Sequence, residues 1–450
     1  MKKIILESII ILFINFLCII DVIAQVSDVE RIESQFLEKA SQNIEKYRKG
    51  EVIIQFKKES GEVIRNTKVR ISQKTHDFLF GAIIFDLIRS ENSYRPELFK
   101  QRFKELFNFA VFPFYWPSYE RRQGMPEWQN IIPVIEWCKL NGITTKGHPL
   151  VWACRAGTPQ WLSSLPIDLS EELLKARVMN TVGGFRGTID IWDVVNEPVN
   201  VRAWSNTETK EDYIQEPINK IVDYVEKSFK WAYDANPQAT LILNEFNTIF
   251  MKDVRERFFE LVKELKNRRT PISGLGIQAH EPFRGCVWYS PKDLWETFDY
   301  LGSFGYSIHI TEFIPQSSGK EIEGQWRKGN WNLETQAEFA EQFYRLCFGH
   351  PDVTSINWWG VSDRNIWQAG GGLLTEEYQP KPVYNRLLKL IHDEWKTKIE
   401  TMTDVNGGIK FKGFYGKYDI VLETESGRSY LFDIHIRKDE ENKWVFTVEE

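Results

Sequence analysis

Asp190-Ile-Trp-Asp-Val-Val-Asn-Glu197 is a short apolar run that closes on an amide and a carboxylate. Its length and β-branched content suit a strand buried on both faces. Further on, Ile218–Ala235 sets apolar residues at helical spacing among charges. The alternation recurs on either side. Strand-like runs fall at Phe78–Ile84, Phe107–Tyr115, Thr144–Trp152, Thr240–Phe246, Gly274–His280, Ser307–Phe313 and Ser355–Val361. Helical patterns accompany them at Glu127–Leu140, Ser170–Val182, Val254–Lys266, Pro291–Leu301, Thr335–Phe348 and Val383–Trp395. Eight such units predict an α/β fold, a parallel sheet closed into a (β/α)8 TIM barrel over residues 77–398. An open doubly wound sheet is the rival, but no G-x-G-x-x-G follows the first strand.

The flanks read differently. Lys2 and Lys3 precede a largely apolar run from Ile9 to Ile20, and Val22-Ile-Ala24 leads to Gln25. That order predicts a signal peptide over residues 1–24 and a secreted or periplasmic protein. The run is too short for a membrane span, which needs roughly 20 apolar residues. No membrane association is expected after cleavage. Residues 25–76 read as a leader, a helix over 28–48 followed by a β-hairpin from Glu51–Phe56 and Thr67–Ser72. After Thr401 the strand–helix alternation stops, and residues 399–450 read as a small C-terminal β module. Cys138, Cys154, Cys286 and Cys347 are scattered, with no C-x-x-C spacing, and read mainly as buried thiols.

Composition narrows the function. The 450 residues hold 57 basic and 63 acidic side chains, a formal charge of -6, so no basic field gathers nucleic acid. The 17 Trp suit either a heavy core or a surface that stacks on sugar rings.

In a barrel of this kind chemistry sits at the carboxyl ends of the strands. There the sequence gathers Lys146-Gly-His148, Trp152, Asn196-Glu197, Asn244-Glu245, Gln278-Ala-His280, His309-Ile-Thr-Glu312, Trp359 and Trp367. Two carboxylates on facing strands suit glycosidic cleavage, which needs one acid and one ionised partner. Glu197 and Glu312, on the fourth and seventh strands, meet that requirement, with Glu245 as a competitor or a rim support. His148, His280 and His309 also suggest a metal centre, but no H-E-x-x-H is present. No G-x-S-x-G elbow offers a serine nucleophile. No metal or other cofactor is expected.

Trp192-Asp-Val-Val-Asn-Glu-Pro198, Lys146-Gly-His-Pro-Leu-Val-Trp152, Gly274-Leu-Gly-Ile-Gln-Ala-His280, Ile310-Thr-Glu-Phe313 and Trp359-Gly-Val-Ser-Asp-Arg-Asn-Ile-Trp367 resemble the signature blocks of glycoside hydrolase family 10. The resemblance covers roughly residues 78–396 in the family's order. It implies an endo-β-1,4-xylanase-like retaining hydrolase of a plant-type polysaccharide or oligosaccharide. By the same resemblance, Glu197 is the acid/base and Glu312 the nucleophile. Asn196 binds the sugar 2-hydroxyl, and His280 orients the nucleophile. His148, Trp152 and Gln278 line the cleavage subsite, and Trp359 and Trp367 wall the cleft.

The match breaks after the second strand. Ala110-Val-Phe-Pro-Phe-Tyr-Trp116 puts Tyr115 where the family carries a lysine for the distal glycone sugar, and Ala153 replaces a histidine. Losing such hydrogen-bonding groups changes which sugar is preferred. Apolar surroundings at Phe112, Phe114 and Tyr115 suit a deoxy, methylated or differently linked residue, so a modified or related glycan stands beside xylan. The alternative from another class is a glycan-binding barrel with little or no catalysis.

Overall fold

The computed structural model describes residues 30–88, 94–205, 213–280, 287–323, 327–364, 366–424 and 427–449. The expected signal segment 1–24 and Cys286 lie outside the described residues. Among the described residues there are sixteen strands, β1 to β16 in chain order. The barrel uses β3 (Leu79–Ile83), β4 (Phe109–Pro113), β5 (Thr144–His148), β6 (Val151–Trp152), β7 (Ile191–Asn196), β8 (Thr240–Glu245), β9 (Gly274–Ile277), β10 (Ser307–Phe313) and β11 (Val353–Trp358). Their order is β5-β4-β3-β11-β10-β9-β8-β7-β6, and a β5–β7 pairing closes the ring. β6 is a two-residue extension of the third barrel strand, so eight parallel staves remain, as the alternation predicts.

Closure depends on one missing side chain. Gly147 pairs with Trp192 across the β5–β7 seam. A Cβ on Gly147 would stand 2.0 Å from the Trp192 ring. The indole fills that volume, and its N–H donates to the Ile189 carbonyl at 3.0 Å. Outside the staves, helices Ile218–Ala235, Lys252–Asn267, Pro291–Gly302 and Leu333–Gly349 turn apolar faces inward, burying Val225, Phe229, Phe258, Leu294, Phe339 and Phe343 among others.

The two flanks do not form separate units, and this corrects the segmentation drawn from sequence. β1 (Lys49–Lys58) and β2 (Lys68–Gln73) do not pair as a hairpin; they enter different sheets. β1 lies between β13 (Gly408–Phe414) and β16 (Lys443–Val448). β2 lies between β12 (Lys398–Met402) and β14 (Gly416–Glu423), with β15 (Ser429–Ile436) at that sheet's edge. Val52, Ile54 and Phe56 from β1 meet Val69 and Ile71 from β2 and Tyr418, Ile420 and Leu422 from β14 in one core. Period-two alternation marks β1 and β2 as strands, but it carries no information on which strand pairs with which.

The first helix, residues 30–47, packs along the barrel. A Cβ on Gly349 would stand 2.6 Å from Ala40, so the two backbones touch there. The Glu33 carboxylate accepts from Ser290 Oγ at 2.7 Å and from the Lys292 N–H at 2.9 Å. It therefore caps helix Pro291–Gly302 from outside that helix.

Candidate active site

The carboxyl ends of β5 to β11 bring the expected polar residues together. Glu197 follows β7 with φ 57°, a left-handed conformation that turns its side chain back over the barrel. Its carboxylate accepts from Trp152 Nε1 at 3.0 Å, Asn196 Nδ2 at 3.1 Å and Gln278 Nε2 at 3.0 Å. Burial, with the Glu312 charge adding to it, outweighs those donors and pushes its pKa up to about 7. A carboxyl in this state holds a proton near neutrality and can give it up.

Glu312 sits on β10, across the barrel from β7. Asn244 Nδ2 donates to its Oε1 at 3.0 Å and to Asn196 Oδ1 at 2.8 Å. One amide thus ties the surroundings of the two carboxylates together. Thr311 Oγ donates to Asn244 Oδ1 at 2.6 Å and fixes the amide's orientation. Gly276 makes room: a Cβ there would stand 2.3 Å from Asn244 Oδ1.

Two imidazoles flank Glu312. His148 Nε2 is 3.9 Å from Oε1, and His280 Nε2 is 3.5 Å from Oε2. His148 Nδ1 bonds Asp193 Oδ2 at 2.7 Å, and the buried Lys146 ammonium reaches the same oxygen at 2.7 Å. Asp193 stays ionised despite full burial because Lys146 and His148 hold its pKa down. The carboxylate in turn sets the orientation of the His148 ring. His280 makes its short contact with Gln278 Oε1, so it joins the Glu312 and Glu197 environments through that amide.

Aromatic rings enclose the mouth. Trp359 packs edge-on against His148 at 5.0 Å and Phe85 at 5.7 Å. Tyr115 meets His148 at 5.5 Å, Trp152 at 6.1 Å and Phe85 at 6.1 Å. Trp367, 49% exposed, meets the His280 ring at 5.3 Å. Beside Tyr115, Trp359 and Trp367 a cavity of about 200 Å³ is lined by Ile83, Phe85 and Ile366, with Asp86 and Arg364 at it.

All nine expected site residues therefore gather at one end of the barrel. The aromatic run after the second strand needs correction, and His309 stands apart. His309 turns into the barrel, where Ser307 and Ser355 bond its ring at 3.0 and 2.9 Å, away from His148 and His280. It lies three residues before Glu312 on the same strand, deeper than the mouth. Phe112 and Phe114 are fully buried, and Phe114 packs on Tyr119, Phe185 and Trp192. Of that aromatic run only Tyr115 reaches the mouth. Sequence reasoning singled out neither Asn244 nor the Lys146–Asp193 pair as site residues. Asn244 lies one residue before the end of β8, and Lys146 and Asp193 lie two and three residues before the ends of β5 and β7, inside the apolar runs.

A closed eight-stranded barrel with two acidic groups in different settings at its strand ends defines the class of barrel glycosidases. The chain belongs to glycosyl hydrolase family 10, which residues 72–390 match. Endo-1,4-beta-xylanase B of Thermotoga neapolitana is 30% identical over 273 residues, 59% of this chain and 74% of that protein. Endo-1,4-beta-xylanase 1 of Arabidopsis thaliana is 26% identical over 414 residues; these cover 90% of this chain but only 40% of that longer protein. The crystal structure of native xylanase 10B from Thermotoga maritima has the same barrel, with a TM-score of 0.58 at 23% identity. That alignment covers 71% of this chain and 96% of the other.

Proposed function

We propose that this chain hydrolyses β-1,4-linked xylan, or a modified glycan related to it, with retention of anomeric configuration. Glu312 attacks the anomeric carbon while Glu197 protonates the departing oxygen, giving a glycosyl-enzyme. Glu197, now ionised, takes a proton from water as that water attacks, and the free Glu312 carboxylate returns. Asn196, His148, Gln278 and His280 hold the sugar and the two carboxylates, and Trp152, Trp359 and Trp367 enclose the ring. The observation that carries the reading is the contrast in setting. Glu197 is a buried acid raised to about 7, beside a second carboxylate held by Asn244. Xylan as the substrate class is supported by the xylanase relatives. A modified glycan is supported by Tyr115 standing at the mouth in place of the family's lysine.

Glu312→Gln is expected to remove nearly all turnover of xylan. Glu197→Gln is expected to do the same while sparing substrates whose leaving group needs no proton. Proton NMR of the first product should show the β-anomer. Full activity in Glu312→Gln, or an α-anomer appearing first, overturns the assignment. We propose further that residues 1–24 direct export, on the strength of their charged start and short apolar core. Sequencing the amino terminus of the protein recovered outside the cytoplasm tests this, and an intact Met1 on that material refutes it.

A further inference from the structure

Glu245 ends β8, directly beside the strand that carries Glu197. It is fully buried, and both its oxygens are engaged. Oε2 accepts from the Val199 N–H at 2.9 Å. Oε1 accepts from Asn200 Nδ2 at 2.8 Å and from the Phe246 N–H at 2.9 Å. Val199 and Asn200 belong to the turn that follows Glu197, in which the Asn200 and Val201 N–H groups bond the Glu197 carbonyl at 3.3 and 3.1 Å. The Glu197 N–H is bound in turn by the Asn244 carbonyl at 2.8 Å. A non-glycine residue at φ 57° persists only where its surroundings hold it. Here β8 supplies the hold on both sides: backbone before Glu197 and the Glu245 carboxyl group after it.

We infer that Glu245 is a positioning residue that clamps the turn bearing Glu197 and so aims the proton of the general acid at the departing oxygen; this rests on the reading of Glu197 as acid/base. With no exposed surface and three donors on its two oxygens, Glu245 does not touch substrate. It acts through Val199 and Asn200 on the backbone from which Glu197 projects. A glutamine in its place presents an amide N–H to one of those donors, which loosens the turn without emptying the volume. Asn200→Ala removes one donor from the other side of the clamp and tests the same contact independently.

The test separates proton donation from folding and from the nucleophile. Glu245→Gln and Asn200→Ala are compared with wild type on xylotetraose, whose leaving group needs a proton, and on 2,4-dinitrophenyl β-xylobioside, whose leaving group does not. In Glu245→Gln, kcat/KM on xylotetraose is expected to fall on the order of 100-fold, and on the activated substrate by less than about 5-fold. Asn200→Ala should show a smaller loss with the same bias. Added azide should raise turnover of the activated substrate by Glu245→Gln, because an anionic nucleophile needs no general base. Equal losses on both substrates, or no loss on either, overturn the inference and leave the family reading intact. Wild-type protein inert on both substrates and on modified xylans alike overturns the reading of Glu197, and the inference with it.

Discussion

Glu197 carries its chemistry as a pH dependence. In the folded protein its carboxyl keeps a proton up to about 7, whereas the unfolded chain ionises near 4.5. In the mechanism proposed above the acid form starts the reaction, so kcat/KM on an unactivated glycan should fall as pH rises through about 7. The same shift acts on stability with a defined sign. A carboxyl whose folded pKa is raised adds stability that is fully present below the unfolded value and is lost as pH climbs to the folded one. Gln at this position is neutral throughout. Glu197→Gln should therefore gain stability relative to wild type between pH 4.5 and pH 7, by at most about 3 kcal/mol. Thermal melts of both proteins at pH 4.5 and pH 8 measure it, and a difference in Tm that does not change with pH refutes it. Any packing change from the amide enters equally at both pH values and drops out of the comparison. The gain would come with loss of turnover, the usual relation between a strained active site and the stability it forgoes.

At the scale of elements, strand ends were the legible part and helix termini were not. Each barrel strand announced itself as an apolar run closing on polar residues, because burial on both faces leaves only the last residues free to face solvent and substrate. His309 and Phe114 show where that reasoning stopped. Phe114 lies just past the end of β4 and His309 lies within β10, yet the packing sends His309 to Ser307 and Ser355, and Phe114 to Trp192. A one-residue difference in where a strand ends decides which side chains reach the mouth, and sequence fixes that boundary poorly. Helix Pro291–Gly302 illustrates the second gap. Ser290 supplies a local cap by accepting from the Asp293 N–H at 3.1 Å, as its sequence allows. Glu33, more than 250 residues earlier, accepts from the Lys292 N–H, and no local pattern reveals it. Its removal leaves that N–H and Ser290 Oγ without the carboxylate in a site where Glu33 is 6% exposed. Glu33→Ala should cost about 1–2 kcal/mol, seen as a lower urea midpoint with an unchanged slope. A variant unfolding at the wild-type midpoint would show that the first helix contributes no cap.

For the whole molecule, the barrel and the β-sandwich formed by the sheets β13-β1-β16 and β12-β2-β14-β15 around one core are joined by buried polar contacts as well as by chain. Arg48, just before β1, reaches the barrel with its guanidinium, which donates to the Phe348, His350 and Val353 carbonyls. These carbonyls lie where helix Leu333–Gly349 hands over to β11, so a residue outside the barrel closes one of its connections. Phe348 also packs on Phe414 at 5.9 Å and Trp395 at 4.3 Å, linking the barrel to β13. β1 pairs on one side with β13 and on the other with β16, and β2 pairs with β12 and β14. Ending the chain at residue 398 removes every one of those partners. It would expose the apolar faces of Val52, Ile54, Phe56, Val69 and Ile71, and leave both edges of β1 and β2 unpaired. If residues 399–450 were an independent module, the truncated protein would keep its Tm and its turnover. Because the two flanks share one core and dock on the barrel, the shortened chain is expected to aggregate or to melt well below the full chain. The full chain should show one calorimetric transition, with the van't Hoff and calorimetric enthalpies equal. Two resolved transitions in the full chain, or a soluble and fully active 1–398 fragment, would show that barrel and sandwich fold separately.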